Sequence, residues 1–327
     1  MFNNWINIHD LGRLKDKICR GEWLQVVKKL RSDAQGKTLA AWNHTQNPPI
    51  NAWEIPALRR RWNRMVSGDT AVDHVEYIVR RYLSNRKALK AFSPGCGNGG
   101  NEIRWAETGI FERIDACDLS SPRIASAIDL AEQKKLAGIV KFKVGDLGEI
   151  TGDNLYDLVI TEGALHHFYP MRAALEKIKS LLKPGGLLIV NEFVGPSRFQ
   201  WTARQLQAAN AMLSLIPREY RRRWPDGKIK NKIDAPGRLR MRFADPSEAA
   251  ESSLTLPLLK EMFATLEVKC KGGALTSLVF HEIAHHFLQA DETSERILRF
   301  CFAAEDLLIQ NGEISSDYIL GVFQKTI

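Results

Sequence analysis

The chain has 327 residues, 44% hydrophobic and 26% charged, with a formal net charge of +8. This is an ordinary soluble globular composition, long enough for one large or two modest domains around a sizeable core. No run of about 18 apolar residues is available to cross a membrane as a helix, Met1 to Leu14 lacks the apolar run of a signal peptide, and five scattered cysteines without a C-x-x-C pair read as reduced thiols of a cytoplasmic protein.

The charge is uneven. Residues 1–90 hold 17 Lys/Arg against 8 Asp/Glu and 218–242 hold 10 against 3, whereas 91–200 hold 12 against 14. The basic excess therefore flanks a near-neutral middle, where it either solvates a surface or attracts an anionic partner.

Residues 1–85 read as a helical cap. Leu11, Leu14, Ile18, Leu24, Val27 and Leu30 recur at helical spacing, and a polar connection follows over 43–56. Two more helices are expected over Glu54–Val66 and Asp69–Leu83, with Ser67-Gly68-Asp69 as break and cap. Trp42, Trp53 and Trp62 either pack these helices or face a ligand pocket.

From residue 88 strands and helices alternate. Strands are expected at 88–93, 114–118, 140–144, 155–161 and 187–192, and helices at 100–108, 122–136 and 170–182. Such alternation implies right-handed crossovers and a doubly wound, mainly parallel α/β sheet, with ligands beyond the carboxyl ends of the strands. The turn after the first strand, Gly95-Cys96-Gly97-Asn98-Gly99-Gly100, has the spacing of a dinucleotide loop, and Asp118 follows Gly100 by 18 residues. An NAD(P)-dependent oxidoreductase is thus one reading.

Residues 196–255 interrupt the alternation with a helical, basic insertion carrying Arg218, Arg221, Arg222 and Arg223. Segment 256–327 then returns to the core with a helix at 256–264, a strand at 266–270, helical stretches at 274–288 and 292–310, and a last strand at 318–323. His281-Glu282-x-x-His285 spells a zinc peptidase motif, but Leu288 and Asp291 stand where its extended form needs Gly and His, so no metal is expected.

Five pieces in order resemble the class I S-adenosylmethionine-dependent methyltransferases. They are Phe92 to Gly99, Ile114 to Ser120, Gly145-Asp146-Leu147, Tyr156 through His167, and Leu182 to Leu187. The resemblance implies a seven-stranded Rossmann-like sheet over 86–195 and 256–327 with an antiparallel end, and S-adenosyl-L-methionine as cofactor. It implies cofactor contacts from Ser93, Gly95, Cys96, Gly97, Asn98, Asp118, Leu119, Asp146, Leu147 and Thr161, with Asp118 on the ribose diol and Asp146 on the adenine amino group. Ser93 stands where the family often has Asp or Glu.

His167, His166 and Glu162 are the candidate catalytic residues, with Glu192 a rival base, since methylating a hydroxyl calls for a proton acceptor near neutrality. Adjacent histidines are expected to point apart, leaving at most one catalytic; proximity alone is a further option. The expected acceptor is a hydroxylated small molecule or saccharide, with an anionic one as an option. A nucleic acid such as tRNA is less favoured because aromatic interleaving in the basic insertion is thin. A catalytically inactive, cofactor-binding partner subunit is the non-enzymatic alternative.

Overall fold

The computed structural model describes Trp5 and residues 33–42, 49–289 and 291–326. The helical pattern expected over Leu11–Leu30 lies outside these residues. α1 spans Ala34–Trp42, α2 Pro56–Ser67 and α3 His74–Ile78, which runs on as a π-helical turn to Leu83. The third helix starts later than expected because Asp73, not Asp69, caps it, its carboxylate accepting from Val75 N and Glu76 N.

Seven strands follow: β1 Leu89–Pro94, β2 Phe111–Asp118, β3 Val140–Val144, β4 Tyr156–Glu162, β5 Leu182–Phe193, β6 Ala264–Gly272 and β7 Tyr318–Gln324. They form one sheet in the order β3-β2-β1-β4-β5-β7-β6. The first five pair in parallel, and β7 lies antiparallel between β5 and β6. β5 is longer than expected. It begins at Leu182, opposite Tyr156, and the Pro184-Gly185-Gly186 turn bulges out before pairing resumes at Leu187 opposite Leu158.

α4 (Gly100–Ala106), α5 (Ser121–Gln133), α6 (Met171–Leu181) and α9 (Ser252–Met262) are the helices of the sheet. One face buries Ile103, Trp105, Ile114 and Ile160 with Ile78 and Leu83 of the amino-terminal helices. The other buries Phe92, Leu175, Ile178 and Leu188 with Leu259.

A third cluster stands apart from the sheet. α7 (Ala203–Leu215) of the insertion packs Ala209, Met212 and Leu213 against Leu278, Val279 and Phe280 of α10 (Thr276–Phe280), Leu298 of α11 (Glu292–Gln310) and Leu58 of α2. Each helix there offers one apolar stripe, so burial among neighbours rather than propensity holds the assembly. α8 (Arg238–Ala244) completes the insertion.

The expected helix over 274–288 is broken. α10 ends at Phe280, Glu282 takes a left-handed φ of 67°, and a 3-10 turn covers Ala284–Phe287. Glu282 N donates to Ile50 O and Trp224 N donates to Glu282 O, so tertiary hydrogen bonds override the helical pattern. His281 and His285 therefore do not share a helical face, and the zinc-type spelling has no structural counterpart.

Candidate functional site

The carboxyl ends of β1, β4, β5 and β6 and the start of β7 meet at one edge of the sheet. They open into a cavity of about 1710 Å³, roofed by the insertion and the third cluster. Pockets for one small ligand run to roughly 300–1,000 Å³, so this one has room for two.

Gly95, Cys96, Gly97 and Asn98 form part of its wall. Gly95 has φ 73°, and a Cβ there would meet the Ala164 Cβ at 2.7 Å, so the glycine turn and the loop after β4 pack backbone to backbone. Gly99, at φ 77°, lies under Phe142 and Ala127 in the same way. Asp118 Oδ2 accepts from Gly97 N at 2.9 Å and Oδ1 from Ser120 N at 2.8 Å. That ties the end of β2 to the turn and leaves lone pairs on a half-exposed carboxylate.

Other expected cofactor residues sit differently. Ser93 is buried and donates to Glu102 Oε1 at 2.6 Å, and burial pushes the Glu102 carboxyl up to about 7. An acid thus stands behind Ser93, supplied by α4 rather than by β1. Thr161 is buried in the sheet, its hydroxyl donating to Ile189 O. Asp146 is exposed and caps the turn Leu147–Glu149 through Gly148 N, with Leu147 buried beneath it. Leu119 is half-buried beside Asp118.

Glu162 is fully engaged. It accepts from Trp105 Nε1 at 2.7 Å and Asn191 Nδ2 at 3.0 Å and pairs with His74 Nε2 at 2.7 Å. Burial would raise its carboxyl, but His74 and these donors outweigh it and hold it at about 2. Such a carboxylate anchors its neighbours and is a poor proton acceptor. Glu192 is an anchor too. Its Oε2 accepts from Ala164 N and Leu165 N, and its Oε1 from Phe193 N and His166 Nδ1, at 2.6 to 2.9 Å.

The histidines do not point apart. The 3-10 turn Leu165–His167 brings their ring centroids within 4.2 Å, and both face Glu248 of the insertion: His166 Nε2 at 3.6 Å and His167 Nε2 at 3.8 Å. Burial alone would lower His166, yet the Glu192 carboxylate beside it raises it to about 9. Burial and the neighbouring His166 charge push His167 down to about 3, so it is neutral. Its Nδ1 lies 3.1 Å from Ser247 Oγ, which itself donates to Asp245. The hydroxyl therefore accepts from Nδ1–H, which leaves a lone pair on Nε2.

Burial pushes Glu248 up to about 7. Sequence reasoning missed this residue, which carries no motif. The ligand atoms of His166, His167 and Glu248 lie within 4.8 Å of one another, a spacing a divalent cation would accept.

Of the arginine run only Arg223 reaches the cavity wall, and it pairs with Asp226 and Glu282. Lys230 donates to the carbonyls of Leu278, Val279 and His281 and so caps α10. Trp42, Trp53 and Trp62 all line the cavity.

A dinucleotide fold of the ordinary kind continues its sheet in parallel; here β7 runs antiparallel between β5 and β6, beside a glycine turn tied to Asp118. The family model described as a methyltransferase domain matches residues 85–244. Residues 85–244 carry a methyltransferase domain of the class I, S-adenosylmethionine-dependent kind.

Among the methyltransferases it resembles is the malonyl-[acyl-carrier protein] O-methyltransferase of Priestia megaterium, 27% identical over 150 residues, 44% of this chain and 53% of that protein. Another is the erythromycin 3''-O-methyltransferase of Saccharopolyspora erythraea, 27% identical over 101 residues, 31% of this chain and 33% of that one. The chain spans about half the length, or less, of the curated relatives it matches. Among solved structures, the geranyl diphosphate C-methyltransferase of Streptomyces coelicolor A3(2), in complex with Mg2+, geranyl-S-thiolodiphosphate and S-adenosyl-L-homocysteine, shares the fold. It aligns at TM-score 0.53 and 12% identity, over 90% of this chain and 99% of that one.

The methyltransferase family matched by residues 85–244 uses S-adenosylmethionine as its cofactor, and the residues present fit it. The side-chain-free turn at Gly95 and Gly97 admits backbone contact with the methionyl part. Asp118, fixed by two backbone donors, keeps lone pairs for a diol.

Proposed function

We propose that the chain transfers a methyl group to a hydroxyl oxygen of a small molecule or saccharide. The observation that carries this reading is the His166–Glu248–His167 cluster, set beside the glycine turn by the Gly95–Ala164 contact. When bound, the cofactor supplies a methyl already activated by the sulfonium charge. This chain must then hold the acceptor in line and take its proton.

Glu248 lines the cavity and, at about 7, is poised to accept the hydroxyl proton near neutrality. His166, kept protonated by Glu192, donates toward the oxygen as negative charge develops there. His167 Nε2 offers its lone pair to Glu248 once the carboxyl is protonated. Asp245 fixes this side of the cluster, accepting from Trp42 Nε1, Thr38 Oγ1 and Ser247 Oγ. A reducing cytoplasmic setting suits Cys96, Cys117, Cys270 and Cys301, all free thiols.

Calorimetry with S-adenosylhomocysteine and with NADH tests the cofactor half, and transfer of a labelled methyl group into alkali-stable ethers tests the acceptor half. Binding of NADH alone would return the dehydrogenase reading; label in amines or alkali-labile esters would exclude ether formation. Asp118→Ala is expected to weaken S-adenosylhomocysteine by about 2–4 kcal/mol, roughly 30-fold or more. A change under about threefold would remove Asp118 from the ribose site.

A further inference from the structure

Lys271, next to last in β6, lines the cavity and is only 5% exposed. Its Nζ donates to Asn191 Oδ1 at 2.6 Å and stands 4.2 Å from the centroid of the Trp62 ring. Asn191 is oriented for this, because its Nδ2 donates to Glu162 and so turns its oxygen toward Lys271. Among the described residues Lys271 forms no ion pair, and one hydrogen bond leaves two of its three N–H donors unused. Trp62, on the same wall, has a buried Nε1 with no hydrogen-bond partner among the described residues.

A buried ammonium without a counter-charge is costly, and such groups are retained where something else neutralises them. The neighbouring carboxylates do not serve. Glu162 and Glu192 are each saturated by their own donors, and their fields only offset part of the burial that brings Lys271 down to about 8. The amine therefore remains charged at neutral pH, facing open cavity.

We propose that Lys271 is the receptor for a carboxylate of the methyl acceptor, with the Trp62 ring as its platform and the Trp62 N–H as a second donor. A lysine presents a single point charge rather than an arginine's fork, which suits one negative charge and favours a carboxylate over a doubly charged phosphate. This rests on the methyltransferase reading and narrows it to acceptors that carry an acid group as well as the methylated hydroxyl. Arg223, the member of the arginine run on the cavity wall, is already paired with Asp226 and Glu282.

The test compares acids with their neutral amides on the full chain. Octanoate against octanamide, and 3-hydroxybenzoate against 3-hydroxybenzamide, are titrated calorimetrically with and without saturating S-adenosylhomocysteine. Each acid is expected to bind wild type about tenfold or more tighter than its amide, as a charged hydrogen bond should. In Lys271→Met the preference should fall below about threefold. Lys271→Met should melt no lower than wild type, since an unpaired buried charge gives way to a side chain of similar length. If it does not fold, Lys271→Gln carries the comparison. Equal binding of acids and amides to wild type, or an acid preference that survives the substitution, overturns the proposal. Failure of S-adenosylhomocysteine to bind would sink the methyltransferase reading alone, because the acid-amide difference measured without it still decides the role of Lys271.

Discussion

Glu192→Ala is expected to lose about 3–5 kcal/mol of stability, the usual cost of breaking a buried charged pair. Glu192 is 1% exposed and accepts four hydrogen bonds, three of them from backbone N–H groups of the turn that carries the histidines and of the strand end. Each donor orphaned without water costs about 1–3 kcal/mol, so local collapse should limit the loss. Thermal unfolding should show a fall of roughly 10 °C, and methyl incorporation should disappear with the displaced turn. Glu192→Gln keeps one acceptor oxygen and should fall between. A variant melting within about 2 °C of wild type would mean the carboxylate does not hold the loop.

The same pair has a pH signature. His166 is raised above its unfolded value, so its contribution is fully present below the ordinary histidine pKa of about 6.5. It is lost as pH climbs through about 9. Wild-type melting temperature should therefore drift down over that window, and Glu192→Gln should flatten the drift.

The parts of the fold that repeat a period or obey a backbone rule were legible in the sequence. The glycine turn is one: Gly95 must be glycine because a Cβ would strike Ala164, and that need shows as spacing. β4 and the second half of β5 show as apolar runs because they are buried on both faces. The end of the second strand at Asp118 was readable from the apolar residues before it.

What escaped lies where tertiary contacts decide. Glu248 comes from an insertion with no period, and only folding sets it opposite histidines some eighty positions earlier. Glu192 looked like a base because a carboxylate's four lone-pair partners cannot be counted along a chain. Lys271 is an ordinary lysine at the end of an expected strand, and its meaning comes from Trp62 and Asn191, which sequence leaves far apart. The helix expected across His281 broke because Ile50 and Trp224 compete for its backbone.

The rate of methyl transfer should rise as pH increases through about 7, where Glu248 loses its proton, and fall again above about 9, where His166 loses its charge. The sign follows from the roles: an acceptor carboxylate must be ionised and a donor imidazolium protonated, so activity is confined between the two values. Because the groups face each other at 3.6 Å, the observed limbs belong to the cluster rather than to either residue. Glu248→Gln keeps the shape but cannot take a proton. It is expected to lower kcat by about 10²–10⁴ and to abolish the acidic limb, with S-adenosylhomocysteine affinity unchanged. His166→Gln should remove the basic limb instead and leave Glu248 with a higher apparent value, since the imidazolium that favours its ionised form is gone. If Glu248→Gln kept kcat within about threefold of wild type and the same profile, the acceptor would need no base, and proximity alone would carry the reaction.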